Sequence, residues 1–188
     1  MKRLSTAIIY AHPYDKSFNH AILDSLTSAM GAENVPCEVI DLYRDGFNPV
    51  YQPEELALFS QGKYLDPLVE KYQNILRRAE RVIFIFPIWW GEAPAVVKGF
   101  FDKVMLPGFG YVIRDGRMAP GLDMQETLVI STSEAPTDVF RPYFEGYFIP
   151  MSLTTIGFNN ASWHNCPGMS SDPDSTRTAF IEHLLSLL

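Results

Sequence analysis

The strongest constraint in this sequence is a set of short apolar runs that do not alternate with polar residues. Thr6-Ala7-Ile8-Ile9-Tyr10-Ala11, Val82-Ile83-Phe84-Ile85-Phe86 and Thr127-Leu128-Val129-Ile130-Ser131 are apolar at nearly every position. A strand with one face in water alternates, whereas a short continuous run suits a strand covered on both faces, as in a parallel sheet. Between the runs the period becomes helical. Phe18, Ile22, Leu26 and Met30 recur after Ser17, a fitting N-cap, and Gly31 is the expected stop. Asp66-Pro67 opens another helix, with Asp as cap and Pro at the first helical position, and Leu68, Tyr72, Ile75, Leu76 and Ala79 form its stripe. Pro94 starts a third, with Val96, Val97, Phe100, Phe101 and Val104 as its apolar face, and Pro107-Gly108 stops it.

Weaker patterns fill the gaps. Glu38 to Leu42 reads as a second strand, and Thr154 to Phe158 as a fifth, interrupted by Gly157. Short helices are expected at Glu54–Phe59, inside a long irregular segment from Tyr43 to Leu65, and at Val139–Phe148. Phe180, Leu184, Leu187 and Leu188 mark a C-terminal helix. Alternating strands and helices imply right-handed crossovers with helices on both faces of a parallel sheet. About five strands fit the flavodoxin-like order 2-1-3-4-5, so the expectation is a doubly wound α/β fold in which residues 1–188 form one domain.

Composition removes several classes of function. The net charge of −7 argues against a nucleic-acid surface, and the densest basic cluster, Arg77, Arg78 and Arg81, reads as the solvated end of a helix. Cys37 and Cys166 stand far apart, outside any CxxC spacing, which disfavours a disulfide scaffold or a cysteine-rich metal site. No apolar run approaches the ~20 residues of a membrane helix. The start of the chain is too short in apolar residues for a signal peptide, so a cytoplasmic location without membrane insertion is expected. There is no Walker A and no GxSxG elbow, and His20 and His183 fall at helical positions that suit packing or surface.

The chemistry should sit in three loops that follow buried strands, because ligands of open α/β sheets bind beyond the carboxyl ends of the strands. The first, His12 to Asn19, leads into a helix N-terminus, which favours an anion such as phosphate, and Ser17 and Asn19 add short polar side chains. The second, Pro87-Ile88-Trp89-Trp90-Gly91-Glu92-Ala93-Pro94, carries adjacent tryptophans. In extended backbone they point to opposite sides, which places one in the core and the other against a planar ligand. The third, Ser131-Thr132-Ser133-Glu134, offers hydroxyls and backbone to the polar edge of a ring. Phe109-Gly110-Tyr111 suits the far wall of an acceptor pocket.

These blocks resemble the NAD(P)H:quinone oxidoreductase (DT-diaphorase-like) family of flavodoxin-like flavoproteins. They include Ala11-His12-Pro13 with Ser17-Phe18-Asn19, Asp41-Leu42-Tyr43 with Phe47-Asn48-Pro49, and Phe86-Pro87-Ile88-Trp89-Trp90. The last continues from Pro94-Ala95-Val96-Val97-Lys98-Gly99-Phe100-Phe101-Asp102-Lys103-Val104 to Phe109-Gly110-Tyr111. The resemblance implies hydride transfer from NAD(P)H through a bound flavin, FAD ahead of FMN, to a quinone-like acceptor in a homodimer with sites at the subunit boundary. It assigns His12, Ser17, Phe18 and Asn19 to the flavin phosphate and ribityl end, Pro87, Ile88, Trp89 and Trp90 to the ring, and Ser131, Thr132, Ser133 and Glu134 to the pyrimidine edge. By the same resemblance, Phe109, Gly110 and Tyr111 fall in the acceptor pocket, given by the partner subunit in the family's arrangement, and Tyr143 is the candidate for stabilising reduced flavin. The chain departs from the family where Thr-Thr-Gly-Gly becomes Ser131-Thr132-Ser133-Glu134. Two other roles share these features: an ancillary subunit of a potassium efflux transporter, and a reductase of azo or nitro compounds.

Overall fold

The computed structural model describes residues 4–171 and 174–188. Five strands form one parallel sheet: β1 (Thr6–Tyr10), β2 (Cys37–Asp41), β3 (Arg81–Pro87), β6 (Glu126–Thr132) and β7 (Ala161–Cys166), in the order β2-β1-β3-β6-β7. With the sheet strands counted alone, this is the anticipated 2-1-3-4-5. The remaining two strands, β4 (Tyr111–Arg114) and β5 (Arg117–Pro120), make a separate antiparallel hairpin. The sequence reading had no strand there.

The unbroken apolar runs have the predicted cause. Every residue of β1 and β3 is buried. Alternate side chains feed two cores on opposite sides of the sheet. Ala7, Ile9, Val82, Phe84, Phe86 and Val129 pack towards α3 (Pro67–Arg78) and α4 (Ala95–Val104). Ile8, Tyr10, Ile83, Ile85, Leu128 and Ile130 pack with Ile22, Leu26 and Met30 of α1 (Phe18–Ala32) and Leu184 of α6 (Asp174–Leu185). The caps follow the sequence too: the Ser17 hydroxyl accepts from His20 N–H, and the Asp66 carboxylate accepts from Leu68 N–H.

Three expectations need correction. The fifth strand is Ala161–Cys166, not Thr154–Phe158. Thr154–Ile156 is one turn of 3₁₀ helix closed by Gly157 at φ +94°, where an added Cβ would lie 1.8 Å from the Leu122 carbonyl oxygen. As an edge strand, β7 is only half-buried and carries Ser162, His164 and Asn165, so it leaves no apolar run to read. The helix placed at Val139–Phe148 is α5 (Thr137–Tyr143), running on into a π-helical stretch at Phe144–Leu153. Finally, Arg81 does not belong to a solvated helix end. It begins β3, is 6% exposed, and pairs with Glu126.

The long segment after β2 contains α2 (Pro53–Leu56) and a 3₁₀ turn at Phe59–Gln61. A buried charge pins it to the body of the fold. The Lys103 ammonium of α4 lies 2.8 Å from the Glu55 carboxylate, with their side chains 3% and 10% exposed, and it donates to the Asn48 carbonyl at 3.0 Å. Burial pushes the Glu55 carboxyl up, but the bonds from Lys103 and Gln52 N–H and the Lys103 charge outweigh it and hold the pKa below the usual value. This stabilisation is therefore complete above the ordinary glutamate pKa of about 4.3 and is lost as pH falls through the lower, folded-state value. Removing one partner strands the other charge in the core. Glu55→Gln is expected to cost about 3 kcal/mol in urea unfolding at neutral pH, with a flatter acid limb in the stability profile.

Candidate functional site

The carboxyl ends of β1, β3 and β6 lie side by side, with Tyr10 in register with Ile85 and Pro87 with Thr132. The loops that leave them enclose a slot of about 400 Å³, within the usual range for small-molecule sites. His12, Lys16, Ser17, Phe18 and Asn19 line it from the first loop, Pro87, Ile88 and Trp89 from the second, and Thr132, Ser133 and Glu134 from the third. Met169 and Arg177 complete the wall.

At one end the slot gathers backbone donors and cationic side chains. His20 N–H and Ala21 N–H are already engaged by Ser17, leaving the first-turn amides of Phe18 and Asn19 at the positive end of α1. The ammonium of Lys16 and the guanidinium of Arg177 lie in the same wall. Arg177 is oriented by Asp174 at 2.8 Å and by the Met169 carbonyl, while its buried Nε has no partner among the described residues.

His12 is the third donor. Its Nδ1 accepts from Tyr14 N–H at 3.1 Å, which places the neutral ring's proton on Nε2. Burial lowers its pKa, partly offset by the Tyr14 contact and reinforced by nearby His20. The imidazole ring stands 6.0 Å from the Trp89 indole.

Asn19 joins the two sides of the slot. Its Nδ2 donates to Thr132 Oγ1 at 2.9 Å, across the gap between α1 and the end of β6. Its Oδ1 is buried without a partner among the described residues. A buried acceptor left open in this way favours a donor from a ligand, since leaving it unmade costs about 1–3 kcal/mol.

The third loop borders the slot with bulkier residues than glycine, and hydrogen bonds tie them down. Glu134 Oε2 accepts from Ser170 N–H at 3.3 Å and from Ser170 Oγ–H at 2.8 Å. Ser133 N–H is spent on the Cys166 carbonyl at 3.0 Å. Ser131 does not line the slot; it is fully buried beneath it.

The tryptophan pair is arranged differently from the expectation. Trp89 to Glu92 form a tight turn closed by Trp89 N–H to Glu92 carbonyl at 3.0 Å and Glu92 N–H to Trp89 carbonyl at 3.3 Å. Trp90 and Gly91 both have positive φ, +54° and +88°, the signature of a type I′ turn. Neither indole enters the core: Trp89 is 43% exposed and Trp90 is fully exposed. Only Trp89 lines the slot. The strict alternation that would bury one of the two holds for extended backbone, and this segment reverses direction.

Phe109, Gly110 and Tyr111 also lie outside the slot of their own chain. Phe109 is buried, with the Arg77 guanidinium 4.9 Å from its ring centre, Gly110 is packed against Met105, and Tyr111 begins β4. Tyr143 lines a second cavity of about 450 Å³ with Glu92, Lys98, Tyr147, Phe148 and Met151. Burial, then Glu92 and Tyr147, push its hydroxyl pKa up. The turn at 89–92 thus gives Trp89 to the slot and Glu92 to this cavity. Lys16, Met169 and Arg177 were not read from the sequence. Lys16 lies inside the first loop and was legible as a cation beside a helix start; Met169 and Arg177 arrive through a tertiary contact with no local pattern.

Residues 5–183 match a family defined by the flavodoxin-like fold. The chain belongs to that family. It is 30% identical over 130 residues to an uncharacterized NAD(P)H oxidoreductase of Haemophilus influenzae, covering 67% of this chain and 64% of that protein. It is 31% identical over 121 residues to NAD(P)H dehydrogenase [quinone] 1 of Rattus norvegicus, covering 55% of this chain and 44% of that protein. The chain therefore spans less than two thirds of the length of these relatives. Among solved structures, NAD(P)H:quinone oxidoreductase from Methanothermobacter marburgensis superposes with a TM-score of 0.85 at 25% identity, covering 97% of this chain and 96% of that one.

The strained turn gives a direct test within this family member. A bulky residue in the left-handed region costs on the order of 1–3 kcal/mol, and the Trp90 side chain, fully exposed on the single chain, has no packing within that chain to offset it. Trp90→Asn, which tolerates that conformation, is expected to raise the stability of the monomeric chain by about 1 kcal/mol in chemical denaturation at high dilution. An unchanged or lower unfolding midpoint would show the turn to be unstrained.

Proposed function

We propose that this chain is a flavin-dependent NAD(P)H:quinone oxidoreductase that passes two electrons, as hydride, from NAD(P)H to a quinone-like acceptor. One observation carries the reading: a single slot joins an anion-binding helix end, flanked by Lys16 and Arg177, to an aromatic and backbone-lined end at Pro87–Trp89. A phosphate tail and a flat ring match those two ends. The unpartnered Asn19 Oδ1 between them suits a hydroxyl donor on the linking chain, so the residues present fit a flavin.

In this reading Ser17, Phe18 and Lys16, with Arg177, hold the phosphate, and neutral His12 donates from Nε2. Pro87, Ile88 and Trp89 flank the ring, while Thr132, Ser133 and Glu134 meet its pyrimidine edge. Bound flavin supplies reversible hydride acceptance, chemistry that no side chain here offers. The protein's share is position, stacking and exclusion of water. No nucleophile is required, in keeping with the absence of a hydrolase motif.

The site is completed, in the same proposal, by a second copy of the chain. Trp90, Val139, Tyr147 and Met151 are each more than half exposed, and Tyr147 and Met151 border the Tyr143 cavity. Exposed apolar side chains beside a cavity, as Tyr147 and Met151 are, suit an association surface. Phe109 to Tyr111, which do not reach their own slot, then belong to the partner's acceptor pocket, and Tyr143 lies close to the exchange of electrons.

Purified protein, or protein reconstituted with FMN or FAD, is expected to be yellow. NADH or NADPH should bleach it without oxygen, and a benzoquinone should restore the colour. Replacing both Lys16 and Arg177 by Ala should weaken flavin binding at least tenfold, since each charge-assisted bond contributes about 1.5–3 kcal/mol. Colourless protein that takes up neither flavin would overturn the assignment.

A further inference from the structure

The loop from Ser131 to Thr137 lacks the two glycines that its resemblance to the quinone oxidoreductases leads one to expect, and Thr132, Ser133 and Glu134 border the slot in their place. Part of what holds this loop lies in β7, in a residue that does not line the slot. Asn165 Oδ1 accepts from Ser131 Oγ–H at 2.8 Å, and Asn165 Nδ2 donates to Ser133 Oγ at 2.9 Å and to Thr137 Oγ1 at 3.0 Å. Ser133 Oγ–H in turn donates to the Ala135 carbonyl at 2.8 Å.

The direction of this chain is fixed at its far end. Ser133 spends its one proton on the Ala135 carbonyl, which can only accept, so Ser133 Oγ must accept from Asn165. That orients the amide with nitrogen towards Ser133 and Thr137 and oxygen towards Ser131, whose hydroxyl donates to it while accepting from Trp163 Nε1 at 2.9 Å. Every amide hydrogen and the amide oxygen are then used. Such a one-way chain polarises its members in the same sense. It joins the buried base of the loop, its slot-lining Ser133 and the first residue of α5.

We propose that Asn165 is a positioning residue of the candidate flavin site, its side-chain amide fixing the loop that would otherwise rely on glycine backbone to accept a ring edge. The inference rests on the flavin reading above. Without the amide, the hydroxyls of Ser131, Ser133 and Thr137 lose their common partner. Ser133 then keeps only its own bond to the Ala135 carbonyl, and the loop loses its tie to β7.

The test compares wild type with Asn165→Leu, similar in size but unable to hydrogen-bond, and with Thr137→Val, which breaks one bond and keeps Asn165. FMN titration should show affinity falling tenfold or more in Asn165→Leu and by a smaller factor in Thr137→Val, with a shifted visible band for the flavin that still binds. In flavin-free protein, amide hydrogen exchange at residues 132–136 should quicken tenfold or more while β1 and β3 keep wild-type protection. Wild-type affinity and band in Asn165→Leu would overturn the proposal, as would exchange that quickens equally across the whole sheet. If Asn165→Leu does not fold, Thr137→Val decides by the same readouts: unaltered loop exchange and FMN affinity there overturn the proposal. Wild-type protein that binds neither FMN nor FAD defeats the functional reading as well, an outcome distinct from wild-type binding that survives the loss of Asn165.

Discussion

The structure depends on a strand that meets water on neither face. All seven residues of β3 are buried, with its two sets of side chains in separate cores and its backbone paired to β1 on one side and β6 on the other. Such a strand can be covered only by helices on both faces, and its neighbours can be parallel only through crossovers. The chain winds outward to β2 in one direction and to β6 and β7 in the other. The reversal leaves a crevice at the carboxyl end, between loops that cannot close over each other. Asn19 bridging to Thr132 marks its width: one side-chain hydrogen bond spans from α1 to the end of β6.

This explains which parts of the molecule were legible in the sequence. Two-sided burial writes itself as an unbroken apolar run, so β1, β3 and β6 could be read directly, and the loops behind them followed from topology. One-sided burial at the edge does not. β7 is polar along much of its length because one of its sides has no neighbour, and the Gly157 interruption that weakened the predicted fifth strand is in fact the turn leading to it. The hairpin β4–β5 is largely exposed, and its signal was the short run Tyr111-Val112-Ile113 ahead of Asp115-Gly116, both at positive φ as a type I′ turn requires.

The candidate site divides along similar lines. Ten residues read from loop position and resemblance converge on one slot: His12, Ser17, Phe18, Asn19, Pro87, Ile88, Trp89, Thr132, Ser133 and Glu134. Trp90 was misread because adjacency was taken for extended geometry, whereas Gly91 permits a reversal at that point. Ser131 is fully buried one position before Thr132, which lines the slot although it too is nearly buried, so composition alone does not separate the two. Arg177 belongs to a helix that reaches the slot from the far end of the chain, and no spacing rule connects it to Lys16.

That pair of cations matters because the protein as a whole is acidic. A net charge of −7 would repel a phosphate-bearing ligand if charge acted uniformly over the molecule. At physiological ionic strength, however, exposed charges are screened beyond about 8 Å, so what a phosphate meets is the local field of the slot. There it finds the positive end of α1, Lys16, Arg177 and a donor from His12. Among the described residues of the slot wall the one carboxylate is that of Glu134, and it accepts from two Ser170 donors. The same bond that keeps Glu134 from filling the slot therefore also keeps its charge from opposing an anion. At Glu134, steric clearance and charge masking come from the same contact, between the third loop and the segment that follows β7.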